Sequence, residues 1–355
     1  MNAAAPLSGS AVAAFPVAAF PVAAFPVAGY ARTADRIAGV LGTASEVLLF
    51  GGEAMLALEA TATSLAAPGR RVVNVVTSPY GGWFGAWLTR GGAEVAEVRP
   101  ADPRRAVTVA EVAAAVRAHR PEVVAIVHGE ASSGILNPVE EVARIAHEAG
   151  AIVVVDAVAS VGGETLPADA WGLDVVAIGP QKALAGPVSL SAVAVSPAAW
   201  ERVGPPTAGA PSALSLADLR RDWIATGRGA LPGTPDPVVF RAMDAALDAL
   251  DAEGLDVRIA RHAEAARAAR DGARAAGIEL WVPDDAAASH LVTTLAVPDG
   301  VDAAALLAAL APHDDGFSAG VGPDAARFVR LNHTGTRASV AAVAASLDAF
   351  ARCVA

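Results

Sequence analysis

From residue 46 onward, short runs rich in valine and isoleucine alternate with amphipathic stretches. The runs at 72–76, 94–98, 123–128, 152–156, 175–179 and 190–195 read as buried strands, because strands covered on both faces lose the polar alternation of a half-exposed sheet. Between them, 53–65, 108–119 and 138–149 read as helices, and Thr108 with Glu111 three residues on makes a capping-box start. Strand–helix alternation of this kind predicts an α/β fold with a mostly parallel sheet flanked by helices. After Pro235 a long helical stretch, 238–276, leads into a smaller α+β segment. Its strands are expected at 291–297 and 328–333 and its helices at 303–310 and 340–351.

The 355 residues exceed what one core usually spans, so three regions are expected. These are an arm with a short helix at 1–45, a large α/β domain at 46–250 and a small α+β domain at 251–355. The arm carries three copies of Ala-Ala-Phe-Pro-Val, with prolines at 16, 21 and 26. Proline every fifth residue forbids a membrane or signal helix there, and no positive side chain precedes Arg32. A net charge of −11 gives no reason to expect nucleic acid as a partner. Cys353 is the single cysteine, so no intrachain disulfide is possible and a reducing, cytoplasmic setting is expected.

One compositional feature points to chemistry. The chain has 25 arginines but one lysine, Lys182. Biased base composition explains arginine on a surface, since the swap costs little there. It does not explain the lysine that remains. Arginine keeps its proton in a protein and cannot act as an amine nucleophile, whereas a lysine amine can be tuned to form an imine. Asp156 closes the run 152–156, so its carboxylate is expected at the carboxyl edge of the sheet, where open α/β sheets bind ligands. Lys182 follows the next run across Gly179-Pro180. A carboxylate and an amine at adjacent strand ends are what pyridoxal chemistry needs: an acid for the pyridine nitrogen and an amine for the carbonyl. A helix cap or loop hydrogen bond is the plainer use of an aspartate.

The stretches Val155-Asp-Ala-Val-Ala-Ser-Val-Gly-Gly163 and Gly179-Pro-Gln-Lys-Ala183, 26 residues apart from Asp156 to Lys182, resemble the class V aminotransferases. The resemblance is strong from about residue 48 to 197 and weaker beyond. It implies a fold type I architecture in which Asp156 pairs with the pyridine nitrogen and Val158 packs on the ring. Lys182 would form the internal aldimine and shuttle the proton. Tyr80, in Ser78-Pro-Tyr-Gly81, falls where the family stacks an aromatic ring, and Gly81-Gly82 are expected to make a tight turn. Arg330 matches the arginine that grips a keto-acid carboxylate, a task suited to a planar guanidinium fork. Gln181 and Thr234 match other vitamer-contacting positions, Thr234 by reaching across a homodimer or homotetramer.

Departures from the family pattern sharpen this. Where a small hydroxyl residue normally receives the phosphate, the chain reads Gly52-Glu-Ala-Met-Leu-Ala-Leu-Glu59, with Glu53, Ala54 and Met55 at the helix start. A carboxylate ~4 Å from a phosphate repels it by about 4 kcal/mol per unit charge at an effective dielectric of ~20. The plain alternative is that Glu53 simply favours a first helical turn, worth ~0.3–1 kcal/mol. Pro180 and Leu231 also replace residues the family uses near the phosphate. This pattern is similar to the pyridoxamine–pyruvate aminotransferase subfamily, which treats the unphosphorylated vitamer as a substrate. The expected activity is therefore amino transfer from pyridoxamine to pyruvate, with small-molecule partners and no membrane, nucleic-acid or metal partner. Two alternatives stay open: a pyridoxal 5′-phosphate-dependent alanine or serine–glyoxylate (or pyruvate) aminotransferase, and a decayed relative that only binds a B6 vitamer. Val321, in place of a second arginine, and Ala131, lacking a hydroxyl that Ser132 or Ser133 would have to replace, favour the decayed relative. So does the altered N-terminus, where Tyr30 is a candidate for closing over substrate.

Overall fold

The computed structural model describes residues 25–313 and 316–354. The first two Phe-Pro repeats, at Phe15 and Phe20, lie outside the described residues. The third does not behave as an extended arm. Phe25 is buried against Phe240, with ring centroids 4.8 Å apart, and Val27–Leu41 (α1) follows at once.

Seven strands form the main sheet: Glu46–Phe50 (β1), Arg71–Val75 (β2), Glu94–Val98 (β3), Val123–Val127 (β4), Ile152–Asp156 (β5), Val175–Ile178 (β6) and Ser191–Val195 (β7). Their order across the sheet is β1-β7-β6-β5-β4-β2-β3. Pairings from β3 through β6 are parallel, while β7 runs antiparallel to both β6 and β1. All five residues of β4 and of β7 are buried, which accounts for their unbroken apolar runs.

Helices Ala54–Leu65 (α2), Pro79–Arg90 (α3), Val109–His119 (α4) and Val139–Glu148 (α5) flank the sheet. The capping box at Thr108 and Glu111 is present. Two short helices, Pro197–Trp200 (α6) and Leu216–Leu219 (α7), precede the longer Pro237–Glu253 (α8) and Leu255–Ala275 (α9). The expected single helix at 238–276 is thus broken at Gly254, whose φ of +87° lies outside helical geometry. A second sheet of three antiparallel strands, Val292–Ala296 (β8), Phe317–Ala319 (β9) and Phe328–Asn332 (β10), packs with Ala303–Leu310 (α10) and Val340–Val354 (α11). Among the described residues, no helix is long and apolar enough to cross a membrane.

Two expectations fail here for a shared reason. Gly81-Gly82 do not make a turn; they lie in the first half of α3. A Cβ on Gly81 would stand 2.9 Å from the Val75 carbonyl oxygen, and Asn74 Nδ2 donates to the Gly81 carbonyl at 2.8 Å. Glycine lets α3 lie directly on the end of β2, and that packing outweighs a helix penalty of ~1 kcal/mol. Tyr30, for its part, does not close over a site. It is 4 % exposed, wedged between Trp223 and Phe240, and its hydroxyl donates to the Leu49 carbonyl at 3.1 Å.

Truncating that ring tests how α1 is held. Tyr30→Ala should lower the unfolding free energy by about 3–5 kcal/mol, read as a reduced denaturant midpoint at unchanged slope.

Candidate active site

The strand order sets the location. From β2 the chain moves outward to β3, then returns to place β4 on the other side of β2, so the sheet reverses its winding between β2 and β4. Ligands of open α/β sheets bind outside the carboxyl ends of the strands at such a point. Thr77–Tyr80 leave β2 there and Gly129–Ala131 leave β4, with Asp156 at the end of the adjacent β5.

A cavity of about 120 Å³ opens at this edge. It is lined by Glu53, Ala54, Met55, Tyr80, Glu130, Ala131, Asp156, Val158, Gln181 and Lys182 among others. The carboxylate and the amine expected from the sequence therefore face one chamber. Asp156 pairs in register with Ala177 of β6, two residues before Gly179, so sheet register brings the lysine loop beside it. Gly179 lets that loop pass close to α2, because a Cβ there would meet Ala54 Cβ at 2.9 Å. Asp156 Oδ1 accepts the Val158 N–H at 3.0 Å, which fixes its orientation. Burial pushes the Asp156 carboxyl above its usual range, opposed by the Val158 N–H and Lys182. Burial also pulls the Lys182 ammonium below its ordinary value, opposed by Asp156 and Glu130 and aided by Arg330.

Glu53 is the N-cap of α2. One carboxylate oxygen accepts the Met55 N–H at 2.8 Å, and the other accepts Gln181 Nε2 at 3.3 Å. The helix N-terminus thus already carries an anion.

Arg330 sits on β10, with Nε donating to the Ala319 carbonyl at 2.7 Å and Nη1 to the Ala131 carbonyl at 2.8 Å. Its charge acts on both Tyr80 and Lys182. Burial raises the Tyr80 hydroxyl above its usual range. Thr234 is exposed and does not line the chamber of its own chain.

Ser132 and Ser133 do not stand in for the hydroxyl missing at Ala131. Both are buried, their hydroxyls have no partner among the described residues, and they line a neighbouring cavity of about 460 Å³. Val321 lines that second cavity too. Sequence reasoning missed Glu130, which is fully buried and faces the lysine chamber. The available signal was an acidic side chain three residues beyond the last residue of an apolar strand, next to Ala131.

Behind the chamber lie three buried histidines, His128, His262 and His333, each held down at about 4 by burial from an ordinary 6.5. Between these values the unfolded chain binds more protons than the folded one, so stability falls as pH drops through that window. Glu130, pushed up to about 7 by burial, and His290, raised by Glu164 at 2.8 Å, oppose this, but the three imidazoles outnumber them. Urea midpoints measured across about pH 7 to 4 should decrease steadily. A flat profile would mean these imidazoles do not stay neutral in the fold.

Comparison with known proteins places this geometry in a family. Residues 26–348 match the family model described as aminotransferase class-V. A pyridoxamine–pyruvate transaminase from Mesorhizobium japonicum is 34 % identical over 326 residues, 90 % of this chain and 82 % of the relative. An alanine–glyoxylate aminotransferase from Callithrix jacchus is 29 % identical over 295 residues, 82 % of this chain and 71 % of the relative. Among solved structures, the pyridoxamine–pyruvate aminotransferase of Mesorhizobium loti superposes with a TM-score of 0.85 at 31 % identity, covering 92 % of this chain and 83 % of the other.

Proposed function

The chain belongs to the class V aminotransferase family, and on that footing we propose that it moves the amino group of pyridoxamine to pyruvate, giving pyridoxal and L-alanine. The observation that carries this reading is the capped helix. A phosphate binds a helix N-terminus through free N–H groups and the helix dipole. Here Glu53 takes the Met55 N–H and adds negative charge where the dianion would sit. The phosphorylated vitamer does not fit that seat, whereas pyridoxamine, which lacks the phosphate, meets no such repulsion. A B6 vitamer then enters and leaves as a substrate.

The rest of the chamber supports the same chemistry. Bound there, the pyridine ring supplies an electron sink, and the residues supply its surroundings. Asp156 would hold a proton at the ring nitrogen. Tyr80, Val158, Ala54 and Met55 would bound the ring, and Gln181 keeps Glu53 in place. Lys182, with its ammonium disfavoured by burial, would bring a free amine to the carbonyl carbon and carry the proton between donor and acceptor carbons. Arg330 would take the acid's carboxylate. Its two hydrogen bonds to carbonyls leave three of its five N–H groups, enough for an end-on fork. Thr234, exposed on its own chain, would reach the chamber of a second copy in a homodimer.

The alanine–glyoxylate relatives favour a second reading, a pyridoxal 5′-phosphate enzyme using alanine and glyoxylate. It requires Glu53 to leave α2.

Three measurements decide between these readings. Purified protein mixed with pyridoxamine and pyruvate should form pyridoxal, and Lys182→Ala should lower that rate by at least about a thousandfold. Visible absorbance of the purified protein should disappear on dialysis; a band that persists would support the second reading. Glu53→Gly should tighten pyridoxal 5′-phosphate binding by roughly tenfold or more, since removing one unit charge at ~4 Å relieves more than the 1.4 kcal/mol that tenfold represents.

A further inference from the structure

Glu130 is the one carboxyl in the chamber to which the proposed reaction assigns nothing. It lies three residues beyond the end of β4 and is 0 % exposed. Thr77 Oγ1 donates to its Oε1 at 2.5 Å, and Asn137 Nδ2 donates to Thr77 Oγ1 at 2.8 Å. Asn137 Nδ2 also reaches the Val127 carbonyl at 2.9 Å, so the relay is tied to the strand itself. The second oxygen, Oε2, makes no hydrogen bond of ordinary geometry among the described residues, although the Ser78 hydroxyl is near enough to act on the carboxylate.

A buried carboxylate needs donors on both oxygens to stay ionised. With Oε2 lacking a well-aligned donor, burial outweighs the help of Thr77 and Ser78 and the neutral acid is favoured. Burial accordingly pushes Glu130 up to about 7, with Asp156 adding to the rise and Ser78, Thr77 and Lys182 opposing it.

The groups that face Lys182 come from every element around it: Asp156 from β5, Glu53 from α2, Glu130 from the turn after β4 and Arg330 from β10. Tyr80 of α3 shares the cavity. Asp156 is oriented by a backbone N–H, and Glu53 is exposed and bonded to Met55 and Gln181. Of these carboxyls Glu130 is the one with no exposed surface, and its Oε2 lacks a well-aligned donor.

We propose that Glu130 is a positioning residue acting through Lys182: by holding or releasing a proton across the shared chamber, it sets whether the chain's only lysine stands as the free amine. The proton balance is simple. When Glu130 gains an O–H bond, the chamber loses one negative charge and the Lys182 ammonium loses an attractive partner. An N–H bond then breaks to solvent, and the lone pair on Nζ is free to attack a carbonyl. This rests on the transaminase reading only for the identity of that carbonyl.

Because Lys182 is the only lysine, its titration can be read in the full-length protein without added vitamer. Acetic anhydride labelling between about pH 6 and 11, followed by peptide mass spectrometry, reports this single side chain, with the α-amine on a separate peptide as internal standard. In Glu130→Gln the labelling midpoint should fall by about half a pH unit or more, since one anion has left a low-dielectric chamber. An unmoved midpoint, in a variant with wild-type circular dichroism and melting curve, overturns the proposal. Should Glu130→Gln fail to fold, Thr77→Val decides instead. It removes a donor from the carboxylate and should move the midpoint in the same direction; no movement overturns the proposal. A shifted midpoint without pyridoxal formation would keep this role for Glu130 and remove pyridoxamine as the substrate. Pyridoxal formation with an unshifted midpoint would do the reverse.

Discussion

Everything in this fold that bears on chemistry depends on holding one amine in low dielectric against a carboxylate at the carboxyl edge of a parallel sheet. The parallel pairing of β5 with β6 supplies the geometry, since it sets Asp156 opposite Ala177 and delivers the Gly179–Lys182 loop to the same edge. Burial disfavours charge on both groups, and their mutual attraction returns part of that cost. The surrounding glycines follow from this constraint. Gly129 lies so close to the Ala159 carbonyl oxygen, 2.6 Å from a would-be Cβ, that any side chain would push the β4 turn away from the chamber.

The chamber's charge is arranged in a way that changes what it can accept. Burial disfavours the charged forms of Asp156, Glu130, Lys182 and Arg330 alike, and Glu53 caps the helix at the exposed side of the chamber. A bound phosphate would add two further negative charges near a carboxylate that already occupies the end of α2. The interaction of Gln181 with Glu53 matters here because Gln181 adjoins the lysine in sequence. This hydrogen bond links the cap to the loop that carries the lysine.

Much of this was legible in the sequence, and the parts that were not share a cause. The strands β2 to β7 and the helices α2, α4 and α5 follow from runs and caps that local chemistry dictates, but β3, expected to be buried, lies at the sheet edge with only Val98 buried. Strand ends put Asp156 and Lys182 at one sheet edge, and the family resemblance singled them out as a pair. Features set by contact between distant segments were not readable. β1 was not singled out, because its place beside β7 depends on antiparallel pairing across almost 150 residues of chain. α3 reads as a turn because two glycines open it, and only the close approach of β2 explains them. Tyr30 has the chemistry of a site residue, yet it is used as a core ring, since aromatic partners at Trp223 and Phe240 come from remote elements.

Glu130 illustrates the same limit from the other direction. In sequence its one signal is an acidic side chain just beyond an apolar strand, too weak by itself to separate it from a surface glutamate. Its character comes from enclosure and from an oxygen without a well-aligned donor, both produced by tertiary packing. The same turn ties the two sheets together, because the carbonyl of Ala131 next to it accepts Arg330 from β10. Any movement of the small sheet that repositions Arg330 for a carboxylate must therefore pull on the segment that holds Glu130. If Arg330 takes the acid and Glu130 acts on Lys182 as proposed, the two events would be joined through this one short turn.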